Sequence, residues 1–194
     1  MGGDEHEIWI ARHGETEWTL SRQHTSRTDL DLTANGERQA RALAAPLSEQ
    51  TFALVLSSPA LRARRTAELA GLGTGLEIDP DLVEYQYGEY EGVTTKEIRE
   101  SRPDWDLWRD GCPGGENTAQ VAARADRVLE RLRRAEGAAV VFAHGHISRV
   151  LAARFLDLDG TAGRLLVLDT ATLSVLGHEH GGPAVCRWND GCHL

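Results

Sequence analysis

Short apolar runs alternate with helix-forming stretches along this chain, and that alternation restricts it to an α/β architecture with helices packed on a mainly parallel sheet. Glu7-Ile8-Trp9-Ile10-Ala11 reads as a short buried strand that ends abruptly at Arg12-His13-Gly14-Glu15-Thr16. Thr33 can cap a helix running to about residue 50, and an apolar strand follows over residues 52–56. The next helix is predicted to start at Ser58-Pro59, where proline's missing donor costs nothing, and to stop near Gly71. Residues 76–78 read as another strand. Residues 81–116 mix turns with short helices, and Thr94-Thr95-Lys96-Glu97 has the capping-box form. Asn117 can begin a long helix through residue 134, with Val121, Ala125, Val128, Leu129 and Leu132 on one face. Residues 138–143 form the clearest buried strand, which ends at His144-Gly145-His146. A helix over 147–155 and strands near 165–168, 172–177 and 185–188 complete the reading.

The expected fold is therefore a three-layer α/β/α sandwich, in which ligands bind at the carboxyl ends of the strands. Both histidine motifs fall at that edge. A chain of 194 residues, 41% hydrophobic and 26% charged, suits one domain over residues 1–194 with a single sizeable core. No apolar run approaches the roughly 20 residues of a membrane span. Met1-Gly2-Gly3-Asp4-Glu5-His6 lacks the basic region and apolar stretch of a secretion signal, so a soluble cytoplasmic protein is expected. Cys112, Cys186 and Cys192 have no metal-ligand spacing, and reduced thiols are the simplest account of their odd number. The formal charge of -9 opposes binding to nucleic acid, because counterion release needs a surplus of Lys and Arg on the contacting face. An acidic chain that handles an anion must gather its positive charge locally.

Arg12-His13-Gly14 does this at a strand end: a cation sits beside an imidazole, and glycine lets another group approach the backbone. The alternative is that His13 plugs the strand end while Arg12 pairs with a carboxylate. The further motifs bear on that choice. Leu32-Thr33 with Gly36 and Gln39-Ala40 follow, then Ser57-Ser58-Pro59 with Arg62 and Thr66. Glu84, Gly88 and Tyr90-Glu91-Gly92 come next, before Gly114-Gly115-Glu116 and His144-Gly145. In content and order these blocks resemble the histidine phosphatase superfamily, branch 1, also called phosphoglycerate-mutase-like. The resemblance covers residues from about 8 to 150, and the sugar-bisphosphatase-like and acid phosphatase subgroup is nearest.

A phosphate monoester carries about -1.5 to -2 charges at neutral pH and needs fixed cations and donors. Arg12 and Arg62 can supply them bidentately, and Arg62 lies near the positive end of its helix dipole. Arg64 and Arg65 are expected to be solvated or ion-paired. His13 can attack phosphorus only as a neutral imidazole with one ring nitrogen free and the other held by a hydrogen bond. The resemblance implies a phosphohistidine intermediate on His13, with His144 donating to the phosphoryl oxygens. One carboxyl group can protonate the leaving oxygen and later deprotonate water. Spacing does not rank Glu84, Glu89 and Glu91 for this role; the resemblance points to Glu84.

Expected substrate contacts are Arg12, Thr19, Thr25, Arg62, Glu84, His144 and Gly145. Thr19 and Ser26 stand where many relatives have Asn and Gly, which weakens any inherited substrate assignment. Small phosphorylated sugars or sugar acids are the expected substrates, and no cofactor is implied. The His144/His146 and His178/His180 pairs lack a carboxylate or cysteine set at ligand spacing, so no metal is expected. Phosphoglycerate mutase-type transfer and a noncatalytic phospho-ligand module are the alternatives. The chain lacks the middle insertion of cofactor-dependent mutases. Dimers occur in the family, which leaves a homodimer open.

Overall fold

A computed structural model of the chain describes residues 6–194. In chain order its regular elements begin with β1 (Ile8–Arg12), α1 (Glu17–Ser21), α2 (Ala34–Ala42), α3 (Ala44–Ser48), β2 (Leu54–Ser57), α4 (Leu61–Leu69) and β3 (Glu77–Ile78). They continue with α5 (Thr95–Ser101), α6 (Leu107–Asp110), α7 (Thr118–Leu132), β4 (Ala139–Ala143), α8 (Gly145–Phe155), β5 (Leu173–Glu179) and β6 (Gly182–Asp190). Short 3-10 turns fill parts of the connections.

The sheet order is β3-β2-β4-β1-β5-β6, with β3, β2, β4 and β1 parallel and the two C-terminal strands antiparallel. This is a mainly parallel sheet flanked by helices, as the alternation predicts. Strand periodicity divides β4 between two cores. Ala139, Val141 and Ala143 share a cluster with Val121, Val128 and Leu129 of α7 and Val150 and Leu151 of α8. Val140 and Phe142 join Leu43, Leu47, Ala67 and Ala70 in the opposite cluster, built on α2, α3 and α4. β4 thus buries both faces, which is why it reads as an uninterrupted apolar run.

Three boundaries differ from expectation. The segment from Thr33 to residue 50 is two helices rather than one, hinged at Leu43, with Pro46 in the first turn of α3 where its missing N–H is tolerated. Helix α4 begins at Leu61 and not at Ser58-Pro59, because the Leu61 amide is taken by Asp29 Oδ1 (2.8 Å) while Ser58 turns toward the sheet edge. No strand forms over 165–168. Gly160–Leu165 is a 3-10 turn, and Leu165 and Val167 are 72% and 64% exposed, since the free edge of β1 is already taken by β5.

Thr94–Glu97 and Asn117–Gln120 do form capping boxes. His6 bonds the Leu132 carbonyl at 2.9 Å and His193 the Ala171 carbonyl at 2.8 Å, so both side chains are anchored. The expectation for residues 1–5 lies outside the described residues. Among the described residues, no helix is long and apolar enough to cross a membrane.

Candidate active site

β1 and β4 are neighbours in parallel register, with Arg12 opposite Ala143, so His13 and His144 leave the same sheet edge side by side. Their ring centroids are 5.1 Å apart. The turn after β1 works by close backbone approach: a Cβ on Gly14 would stand 2.5 Å from the Gly36 carbonyl oxygen, so α2 packs where only glycine fits. Glu15 accepts from Thr33 Oγ1 (2.6 Å) and Asn35 (3.0 Å), and Thr66 Oγ1 accepts the Gly14 amide at 3.0 Å. The Arg-His-Gly-Glu turn is therefore pinned from α2 and α4.

His13 is buried, and its Nδ1–H donates to the Gly14 carbonyl at 2.8 Å, which leaves Nε2 with the lone pair. Burial, then the nearby charges of His144, Arg62 and Arg12, hold its pKa well below the usual histidine value. The ring is neutral. His144 is equally buried; Ser58 Oγ lies 2.8 Å from its Nε2, and its Nδ1 has no partner. Burial and then Arg62 likewise push its pKa well down.

Arg12 donates through Nη1 to the Leu168 carbonyl, and Arg62 through its two terminal nitrogens to the carbonyls of Thr28 (3.2 Å), Thr25 (3.3 Å) and Ser26 (3.5 Å). The Nε of each is buried and unpartnered. The fork geometry expected to face an anion bidentately is thus partly used to hold backbone, which leaves the buried Nε of each arginine, and Nη2 of Arg12, with no hydrogen-bond partner among the described residues. Arg65 pairs with Glu37 and Glu68, as its surface position predicts.

Glu84 sits against the start of α8, where its carboxylate accepts the amides of His146 (3.0 Å) and Ile147 (2.9 Å) as well as that of Tyr85 (2.8 Å). Burial alone would raise this carboxyl, but the hydrogen bonds and charge of His146, with the charge of His144, hold it well below the usual carboxylate range. The structure also separates the three candidate acids. Glu91 accepts from the amides of Ser26 and Thr28 (both 3.0 Å) and from the Ser26 hydroxyl, so it pins the loop whose carbonyls hold Arg62. Glu89, the middle residue of the Gly88–Tyr90 3-10 turn, is not among the residues lining the cavity.

A cavity of ≈ 330 Å³ opens beside these groups, with Arg12, His13, Thr19, Thr25, Glu84 and Gly145 in its wall. Arg62 and His144 are not wall residues; they lie behind it, fully or nearly fully buried. Thr19 spends its hydroxyl on the Thr16 capping box and Thr25 on the Gln23 carbonyl, so both shape the wall more than they offer free donors. The departures at Thr19 and Ser26 have local causes: one completes that cap, the other donates to Glu91.

Trp18, Arg22, Gln23 and His24, from the segment that follows the Arg12–Thr16 motif and is expected to border the pocket, also line the wall, as do Tyr87 and Arg149, which the sequence did not single out. Arg149 lies over the Trp108 ring (4.7 Å) and follows His144 by five positions, a spacing that was the one available signal. His144 and His146 face different partners, Ser58 and Tyr87 (2.7 Å), and His180 lies in the turn after β5, off the strand face expected for a pair with His178.

The family model for the histidine phosphatase superfamily (branch 1) matches residues 8–191. The chain belongs to this superfamily. An acid phosphatase of Mycobacterium tuberculosis is 41% identical over 185 residues, covering 93% of this chain and 91% of that protein. The sedoheptulose 1,7-bisphosphatase of Saccharomyces cerevisiae is 38% identical over 77% of this chain and 67% of its own. Among solved structures, an open reading frame product of Mycobacterium tuberculosis superposes with a TM-score of 0.90 at 37% identity, covering 95% of this chain and 97% of that one. This histidine phosphatase is accordingly a hydrolase of the phosphatase class that acts on small phosphorylated substrates.

Proposed function

We propose that this phosphatase hydrolyses small phosphate monoesters, sugar phosphates foremost, in two steps through a phosphorylated His13. The whole chain is read as one catalytic domain. One observation carries the reading: of the five buried side-chain atoms without partners among the described residues, three, Arg12 Nε in the cavity wall and Arg62 Nε and His144 Nδ1 behind it, belong to the residues next to a buried imidazole whose Nδ1 is already engaged. An unsatisfied buried donor costs about 1–3 kcal/mol. A phosphoryl group offers three anionic oxygens and satisfies all three donors in one binding event.

In the first step the Nε2 lone pair of His13 forms the N–P bond as the ester P–O bond breaks. The leaving oxygen takes a proton held at Glu84. In the second step water loses a proton to Glu84 and its oxygen attacks phosphorus. The N–P bond then breaks and inorganic phosphate departs. Ser58 accepts the Ala60 amide (3.3 Å) and has its own proton to give to His144 Nε2, which leaves Nδ1–H of His144 to meet a phosphoryl oxygen. Arg12, Arg62 and His144 thereby oppose the charge that spreads over phosphorus in the transition state, with no metal needed.

Glu84 lies beside Gly145 at the start of α8, where the departing group leaves, and its low pKa fixes where the proton originates. The carboxylate is ionised in the free protein, so the proton arrives on the substrate's own phosphate. The incoming negative charge then raises Glu84 enough to take it.

His13→Ala tests the mechanism. The variant should fold and lose turnover of 4-nitrophenyl phosphate, while rapid quench of the wild type with a labelled ester should trap an acid-labile phosphoryl adduct. A His13→Ala protein with near-normal activity, and no adduct in the wild type, would defeat the reading.

A further inference from the structure

Residues 83–87 form neither helix nor strand, yet they carry Glu84, so their backbone polar groups need partners from outside a ladder. Arg124 of α7 supplies several of them. Its five N–H groups meet five acceptors: Nε and Nη2 donate to the two carboxylate oxygens of Glu116 (both 2.8 Å), Nη1 donates to the carbonyls of Asp81 (2.5 Å) and Val83 (3.0 Å), and Nη2 also reaches the Glu84 carbonyl (3.5 Å). Glu116 completes the frame by accepting the Gln86 amide on Oε2 (2.9 Å), while its own amide donates to the Gln86 carbonyl (2.8 Å). The approach is close: a Cβ on Gly115 would stand 2.1 Å from that Gln86 carbonyl oxygen.

Arg124 differs in this from Arg12 and Arg62. Those two keep a buried Nε unpartnered, whereas Arg124 has every N–H engaged and, like Glu116, is not a wall residue of the cavity. It has nothing to offer a substrate. What it fixes is the backbone on which Glu84 stands, and from there the Glu84 carboxylate reaches the amides of His146 and Ile147 at the start of α8. The carboxylate therefore hangs between two helices, held by α7 through its backbone and by α8 through its oxygens.

We propose that Glu116 and Arg124 are positioning residues for the acid–base step: their ion pair sets the distance of the Glu84 carboxylate from the leaving oxygen, without touching the substrate. The inference rests on the proton-carrying role proposed for Glu84. A bidentate pair suits the task, because the guanidinium plane and the carboxylate lock each other's orientation, and one arginine can gather carbonyls that no regular element would align. A displacement of about 1 Å at a reacting group can cost on the order of 10²-fold in rate. Loss of the pair should therefore lower kcat for esters whose leaving oxygen needs the proton. It should leave KM, which the phosphoryl donors Arg12, Arg62 and His144 govern, nearly unchanged.

The experiment uses Glu116→Gln and Arg124→Lys. The first keeps the shape but presents an NH2 where a carboxylate oxygen accepted, and the second keeps the charge with three donors in place of five. Glycerol 2-phosphate is compared with 4-nitrophenyl phosphate, whose leaving group departs as a stable anion. We expect kcat on glycerol 2-phosphate to fall roughly tenfold or more in each variant with KM within about twofold, and kcat on the aryl ester to fall less than about threefold. In a Glu84→Gln background, Glu116→Gln should cost no further activity on the alkyl ester, because the proton carrier is already gone. A merely structural role gives equal losses on both esters, multiplied on top of Glu84→Gln. That result, or no loss in either variant, overturns the proposal. Hydrogen exchange tests it without turnover. The His146 and Ile147 amides, covered by Glu84, should exchange faster in both variants, while those of Val150 and Leu151 in the same helix keep wild-type protection; unchanged protection at 146 and 147, or loss along all of α8, overturns the proposal. If Glu84→Gln itself loses equally on both esters, the proton-carrier reading fails, and exchange at 146 and 147 still decides whether the pair places the carboxylate.

Discussion

On the proposed mechanism, with the Glu84 pKa held well below the carboxylate range and that of His13 well below the histidine range, the pH dependence should be set by the substrate. Glu84 accepts three backbone amides at the start of α8, and the net effect lies well below the ordinary carboxylate range. The proton needed at the leaving oxygen therefore enters on the phosphate monoanion, whose population halves near the second phosphate pKa of about 6. About half of the ester carries that proton at pH 6 and about 1% at pH 8, so kcat/KM for an alkyl phosphate should fall roughly 50-fold across that interval. On the acid side the sign is opposite to that of an ordinary histidine. Burial, His144, Arg62 and Arg12 depress the His13 pKa, so the nucleophile remains neutral and the rate should not drop between pH 6 and 5. The assay is kcat/KM for glycerol 2-phosphate from pH 4.5 to 8.5, in wild type and Glu84→Gln. The variant keeps an amide-accepting oxygen but carries no proton, and should lose about 10²–10⁴-fold on the alkyl ester. With 4-nitrophenyl phosphate, whose leaving group departs as a stable anion, the loss should be much smaller. A wild-type rate that climbs from pH 6 to 8, or equal losses on both esters, would refute the proton route through Glu84.

Arg62→Ala should reduce kcat/KM for 4-nitrophenyl phosphate on the order of 10²-fold, as expected for one preorganised donor, and a change below threefold would remove Arg62 from the site. Arg124 is nearly buried, pairs with Glu116 at 2.8 Å and donates to the Val83 carbonyl at 3.0 Å, one residue before Glu84. Arg124→Ala leaves that carboxylate uncompensated and should destabilise the protein by about 3–5 kcal/mol in urea unfolding; a loss under 1 kcal/mol would contradict the geometry. Activity should survive EDTA, and 3-phosphoglycerate should yield free phosphate in preference to its isomer, because Arg12, Arg62 and His144 can oppose the phosphoryl charge unaided. Reversible inactivation by chelation, or isomerisation outrunning phosphate release, would count against the proposed chemistry.

What was legible in the chain is what neighbouring residues decide. β4 declares itself because both its faces are buried, and His13 and His144 can be assigned to one edge because each follows an apolar strand in a parallel alternation. The expected strand over 165–168 failed for a long-range reason. Leu165 and Val167 have the composition of a strand, but strand formation needs an open edge, and β5 had already filled the one beside β1. Pro46 carried a local signal for the break between α2 and α3, yet the helical pattern on either side of it masked the hinge at Leu43.

The same distinction runs through the site and explains why its supports were harder to read than its chemistry. Arg12, His13 and His144 belong to compact motifs, whereas Arg62 depends on a loop 34 to 37 positions away, and Glu91 holds that loop from 63 to 65 positions away. No periodicity links such residues. A substitution can, and Ser26 is the instance. Where the resemblance implies glycine, this chain has a hydroxyl that donates to Glu91, so the departure that weakened the substrate assignment is also a tie beneath Arg62. The carboxylate that spacing left tied with Glu84 therefore has a different task. Glu84 meets the cavity beside Gly145, while Glu91 fixes the backbone carbonyls that keep Arg62 behind His13 with its Nε unspent. Of the two acids Glu84 lines the cavity and Glu91 does not, and the proposal that Glu84 carries the proton rests on that position, which composition alone could not supply.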